Sequence, residues 1–355
     1  MKILTLLASF VVFAGSPILA GRPPQAGQGA AGAPGPTSCN PVGNVRFVCG
    51  QQAPEDLVAL PGSQWIVASS FAGSGGINLI NVRDHTTSLA FPTATSKERL
   101  DAKTYNTCPG PPDAADKAKF ATHGLALRAG RNSVHTLYAV HHGARESIEV
   151  FEVDARGKMP ALTWVGCAVV ADPIGLNSVV ALPEGGFIAT DFLARGIDAV
   201  ARGRMLAGES NGALWEWHTA TGWKMIPGSE AAGANGLEIS KDGKWLYVAA
   251  WGSQSFFRLS RGQTPAKRDT IPLGFRVDNI RWAPDGSIFA AGQGGVAPMQ
   301  TSNIVKINPD TLKVQEIIRH PNSPEFGNGT VAVQIGKELW VGSFRGDRIA
   351  IFPAP

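Results

Sequence analysis

Charge is scarce in this sequence and evenly mixed: 32 Lys and Arg face 28 Asp and Glu, a net charge of +4, and only 17% of the residues are charged. The basic residues are scattered, so the clustered phosphate-binding face that a nucleic-acid partner needs is missing. Cysteine is sparse as well. The four, Cys39, Cys49, Cys108 and Cys167, include no Cys-x-x-Cys spacing and have no His-x-x-x-His pair near them, which argues against a zinc framework. Beyond the N-terminus no apolar run is long enough to span a bilayer. Low charge combined with 42 Gly and 25 Pro excludes a helical bundle or coiled coil and points to many tight turns between short strands.

The N-terminus reads as a secretory signal over residues 1–20: Lys2, an apolar run from Ile3 to Phe13, then small and turn-forming residues to Ala20. Residues 21–38 carry almost no large apolar side chains and read as a flexible Gly/Pro/Ala-rich leader. The mature product is therefore expected to be secreted or periplasmic, with no transmembrane segment. Export permits disulfides, and sequence proximity pairs Cys39 with Cys49 and Cys108 with Cys167 among the three pairings that four cysteines allow.

One pattern recurs through the rest of the chain: a polar or Gly opener, alternating aliphatics, a turn with Pro, Asp or Gly, then a strand ending in small residues. It runs from Glu55 to Ser70, His123 to His142, Leu176 to Asp191, Asn235 to Trp251, Asp278 to Gly292 and Gly329 to Ser343. Each copy has the period-two alternation of a β-hairpin. A hairpin alone cannot bury two faces, whereas six of them, each completed by outer strands, can pack around an axis. The expected fold is all-β, a single six-bladed β-propeller over residues 39–355.

In such a ring the innermost strands line a channel, and the residues that open them gather at one mouth. Glu55, Asn177, Asn235, Asp278 and Asn279 would bring two carboxylates and three carboxamide oxygens together. An all-oxygen set with two negative charges suits a hard cation of calcium type, while zinc or copper would prefer nitrogen or sulfur. Taken singly, such Asn and Asp residues more often cap turns and bond the local backbone; their shared repeat phase favours the metal. His123 opens the second copy, and His141 and His142 end its next strand, so one of that pair should sit beside His123 at the same mouth. Paired imidazoles there can activate water, one accepting the proton while the other orients it. Gly208-Glu209-Ser210-Asn211-Gly212 matches the nucleophile-elbow pattern but precedes a strand-like run, so it reads as a chance turn. Most tryptophans fall in strand runs and read as packing, with Trp251 and Phe71 the exceptions expected to wall a pocket.

At these residues the chain resembles the calcium-dependent six-bladed propellers of the paraoxonase/arylesterase family, within the wider group of gluconolactonases and strictosidine-synthase-like proteins. The resemblance runs from about Glu55 to Phe352 and rests on Glu55-Asp56-Leu57, Asn177, Ala234-Asn235-Gly236 and Val277-Asp278-Asn279-Ile280. It implies a catalytic Ca2+ on Glu55, Asn177, Asn235, Asp278 and Asn279, and a catalytic pair formed by His123 with His142 or, if the alignment slips by one, His141. It also implies a second, structural calcium; Asp56 is in place for it, but Ser178 stands where the family has a second Asp. The family's disulfide between its two ends has no counterpart, because no cysteine follows Cys167. Ring closure must then come from hydrogen bonding and packing.

The leading expectation is a calcium-dependent hydrolase of small-molecule lactones or aryl esters. Two others stand beside it: a gluconolactonase-like hydrolase using the calcium without the His pair, and a propeller that binds without turnover. The segments from Phe71 to Gly76, Asp191 to Arg204 and Gln293 to Thr301 should border the mouth, their Gly and Ala content suggesting mobile loops. Nothing in the sequence fixes an oligomeric state.

Overall fold

The computed structural model describes residues 38–62 and 64–355, and Ser38–Pro355 form one compact unit. The expected signal and leader segments fall, but for Ser38, outside the described residues. Within the compact unit six antiparallel sheets are arranged as the six blades of a β-propeller. Their innermost strands are Leu57–Ala59, Ala121–Arg128, Leu176–Ala181, Ala234–Ile239, Arg276–Trp282 and Gly329–Ile335. The second blade alone carries a fifth strand, Lys97–Glu98, added in parallel to its outer edge at Ala161–Val169.

The alternation in the sequence becomes packing between blades. Val67, Leu79 and Phe91 of the first blade meet Leu125, Leu137, Phe151 and Trp164 of the second in one fully buried cluster. Burial of each such side chain contributes roughly 1.5–3 kcal/mol. Leu237, Leu246 and Val248 of the fourth blade meet Val180 and Ile188 of the third in the same manner. The core is thus a set of wedges between sheets, and the polar channel residues are held on a rigid frame.

Closure occurs in the sixth blade, whose outer strand, Arg46–Cys49, comes from the opposite end of the chain and pairs with Arg348–Pro353, Arg46 opposite Ile351 and Cys49 opposite Arg348. Hydrogen bonding closes the ring, as the missing end-to-end disulfide required. Cys39–Cys49 pins the segment leading into that strand, and Cys108–Cys167 ties the connection between the first two blades to the second blade's edge. Two disulfides are the signature of an oxidising compartment outside the cytoplasm. Among the described residues no helix is long and apolar enough to cross a membrane.

The stretch from Asp191 to Arg204 differs from the mobile loop expected of it. It holds a helix, Ala199–Leu206, whose N-cap Asp198 accepts a hydrogen bond from the Ala201 amide at 2.7 Å. Met205 is buried beneath it against the turn at Gly252. The Gly208–Gly212 motif follows this helix and precedes the strand Leu214–His218, the reverse of the strand-then-helix order that a nucleophile elbow needs.

Candidate active site

In the second to sixth blades the opener residues project into the channel because the inner strands are bulged there. In these five blades, pairing of the inner strand with the next breaks register between Thr122 and Leu125, Leu176 and Val179, Ala234 and Leu237, Val277 and Ile280, and Gly329 and Ala332, while Leu57–Ala59 of the first blade, which Glu55 precedes, pairs in unbroken register. The residues inside these breaks are His123-Gly124, Asn177-Ser178, Asn235-Gly236, Asp278-Asn279 and Thr330-Val331. A bulge re-aims a side chain that the regular pleat would direct into a wedge between blades. The neighbouring backbones also come close at two of them. A Cβ on Gly124 would lie 2.4 Å from the Asn177 carbonyl oxygen, and one on Gly236 would lie 2.5 Å from that of Asp278, so only glycine fits at these two positions.

All five proposed ligands meet at one mouth and are connected. His123 Nε2 lies 3.3 Å from Asn177 Nδ2 and 3.7 Å from Glu55 Oε1. Asn279 Nδ2 donates to Glu55 Oε1 at 2.6 Å. Asp278 faces Glu55 across the site, and its Oδ2 accepts from Gln293 Nε2 at 2.7 Å. Gln293 is itself held by Trp251, whose Nε1 donates to Gln293 Oε1 at 3.0 Å. Neither Gln293 nor this indole contact is signalled in the sequence beyond the placing of Trp251 near a strand end.

The five are almost wholly removed from solvent, the most exposed being Asp278 at 5%. Nevertheless Glu55 Oε2, Asn177 Oδ1, Asn235 Oδ1 and Asn279 Oδ1 have no hydrogen-bond partner. Among the described residues nine buried side-chain polar atoms are in that condition, and four of them belong to this one set. A buried polar atom without a partner costs about 1–3 kcal/mol. The amide nitrogens of Asn177 and Asn279 are spent on neighbours while the oxygens remain open, the orientation that a hard cation requires. Burial, then the facing Asp278, pushes the Glu55 carboxyl well above its ordinary range, and burial drives Asp278 up to about 7. These are two carboxylates short of positive charge, and the donor set fits calcium.

The two histidines settle the choice that the sequence left open. His123 Nδ1 lies 3.0 Å from His142 Nε2, and His142 Nδ1 lies 2.9 Å from Glu146 Oε2. His141 points to the other side of its strand, where it is fully buried, stacked on Phe120, with Nδ1 3.1 Å from the Ala121 carbonyl and Nε2 3.2 Å from Asp116 Oδ2. Adjacent strand residues face opposite ways, so only one of the pair can reach His123. Burial, with His142 alongside, holds the His123 imidazole well below the usual histidine range.

Glu146 was not singled out by the sequence. It is 4% exposed, its Oε1 fixed by the Leu176 amide at 2.7 Å. A carboxylate only accepts, so His142 carries its proton on Nδ1 and accepts at Nε2 from His123 Nδ1–H. The lone pair of His123 is thereby left on Nε2, directed at Asn177 and Glu55. Phe71 stacks on His123 with ring centroids 4.3 Å apart, and Phe71, Phe192, Trp251 and Phe344 wall a cavity of about 590 Å³ above the polar floor.

Behind the floor, Arg281 stands close to the first blade's second acid. Its guanidinium pairs with Asp56, donates to the carbonyls of Leu57 (3.2 Å), Leu125 (2.9 Å) and Ile280 (2.9 Å), and lies 3.8 Å from Glu238. The Ser178 hydroxyl, at the position where the resemblance expected a carboxylate, has no partner. Asp56 is thus already neutralised by a side chain of the protein. Elsewhere Glu184, Glu216 and His218 converge, but Arg261 bonds both carboxylates, at 2.5 Å and 2.8 Å, and supplies the charge there.

No protein-family model and no curated protein sequence matches the chain. Among solved structures it is similar to a gluconolactonase from Xanthomonas campestris (TM-score 0.55, 17% identity, 88% of this chain and 89% of that one). A luciferin-regenerating enzyme is similar at TM-score 0.54 and 14% identity, over 87% of this chain and 94% of that one. Virginiamycin B lyase from Staphylococcus aureus is similar at TM-score 0.50 and 11% identity, over 88% and 99%. At these identities the likeness establishes the propeller fold.

Proposed function

We propose that this chain is an exported hydrolase of lactones or aryl esters that works with a calcium ion held by Glu55, Asn177, Asn235, Asp278 and Asn279. The observation that carries the proposal is the set of four buried, unpartnered oxygens, three from residues that line the cavity, Glu55, Asn177 and Asn235, and the fourth from Asn279, which is bonded to Glu55. Calcium, when bound there, supplies positive charge against the substrate's carbonyl oxygen and so favours the charge that develops on it. The protein's own residues do the rest. Glu146 orients His142, His142 fixes the tautomer of His123, and His123 Nε2 accepts a proton from water as the water oxygen bonds to the carbonyl carbon. The acyl–oxygen bond breaks and His123 returns the proton to the leaving oxygen. A lactone yields a hydroxy acid, and an aryl ester yields a carboxylic acid and a phenol. The aromatic walls exclude water from the acyl side and hold an apolar substrate body.

The likeness to a gluconolactonase favours a second reading, hydrolysis of sugar lactones by the same cation without the His pair. Replacing His123 and His142 separates the two, since severe loss of turnover belongs only to the first. The common claim is tested with the purified protein on a panel of lactones and aryl esters. Turnover abolished by chelation and restored by calcium supports it; turnover indifferent to chelator contradicts the metal's role.

A further inference from the structure

The cavity above the floor has a charge asymmetry that hydrolysis of a neutral ester does not use. Arg195, Arg202 and Arg345 all line it and all are exposed, and they come from three separate places: the segment after the third blade's second strand, the helix Ala199–Leu206, and a turn of the sixth blade. Only Arg195 has an acidic partner, Asp172 at 2.9 Å; among the described residues Arg202 and Arg345 make no ion pair. The acids nearest to them in sequence are already engaged. Asp198 caps its helix, and Asp347 accepts from Arg348 Nε at 2.8 Å. Glu146, on the cavity wall, is fixed by His142 and the Leu176 amide. Glu55 and Asp278 lie on the floor and are the charges that a cation there would balance.

From this we infer that the substrate is an anion: an ester or lactone with an apolar body that lies against Phe71, Phe192 and Trp251 and a carboxylate, remote from the scissile carbonyl, that is received by Arg202 and Arg345 at the rim. Guanidinium suits a carboxylate because its planar N–H fork matches the two oxygens. Rim charges also gather anions from solution, an effect that salt removes. The assignment of the scissile bond rests on the hydrolase reading above, whereas the anion site stands on the rim residues alone.

The test compares 4-acetoxybenzoate with its neutral methyl ester on the full protein, and on Arg202→Gln, Arg345→Gln and the double variant, with circular dichroism as the check on folding. The ratio of the two kcat/KM values cancels effects common to both substrates. The expected result is a ratio that falls about tenfold in the double variant and also falls in 0.5 M NaCl. Chelator-sensitive turnover with a ratio unmoved by either change overturns the inference and leaves the hydrolase reading intact. If neither ester turns over, calorimetric binding of 4-phenylbutyrate against its amide decides the matter. Preference for the carboxylate, lost in the double variant, sustains the anion site while the hydrolase reading fails; equal binding overturns the anion site too.

Discussion

Glu146 holds His142 in one tautomer. Its Oε2 sits 2.9 Å from His142 Nδ1 while the Leu176 amide anchors its other oxygen, so the orienting carboxylate cannot swing away. Glu146→Gln keeps an acceptor for Leu176 but can place an amide N–H against His142. His142 then accepts at Nδ1, donates from Nε2, and passes the wrong tautomer on to His123, whose Nε2 becomes protonated. Turnover should fall by about 10²- to 10³-fold with little change in KM and none in the melting temperature. Steady-state kinetics beside thermal melting checks this, and a variant with undiminished kcat would remove Glu146 from the mechanism.

The positions of the openers were legible in the sequence because the repeat phase is a property of residue order. Six copies give six inner strands, and the residue that opens each must lie near the mouth. What turns those residues inward, the register break in five of the six inner strands, has no local residue signature apart from Gly124 and Gly236, so convergence could be expected without its cause. The histidine ambiguity was of the same kind: alternation requires His141 and His142 to face apart but does not say which faces the channel. Glu146 and Arg281 were invisible for a different reason. Each acts on a residue of another strand or blade, and a contact such as Arg281 to Asp56 leaves no spacing to read.

Arg281 is the cation of the lower channel. It is 8% exposed and carries the charge balance of Asp56 as well as bonds to three carbonyls. Removing one partner of a buried ion pair typically costs about 3–5 kcal/mol because the other charge is stranded. Arg281→Met should lose stability in that range in urea denaturation. A loss below about 1 kcal/mol would show that Asp56 is satisfied without it.

Glu238 gives the fold a pH dependence. Burial is the main cause that raises its carboxyl from 4.5 to about 7, with Arg281 opposing and Asp56 adding to the rise. The folded chain therefore binds this proton more tightly than the unfolded one. The resulting stability is complete below about pH 4.5 and is lost as pH rises through about 7. Between pH 5 and pH 8 the wild type should lose about 2–3 kcal/mol relative to Glu238→Gln, measured by urea denaturation of both proteins at each pH. A difference between them that is constant with pH contradicts the assignment.

The central claim is that five side chains at the channel mouth hold one calcium ion. Calorimetric titration of calcium into chelator-treated, refolded-to-native protein, side by side with Asp278→Asn, addresses it without reference to any substrate. The account predicts one ion per chain in the wild type and at least tenfold weaker binding in the variant, since a hard cation loses one of its two charged ligands. No binding by the wild type, or equal binding by both, would contradict it.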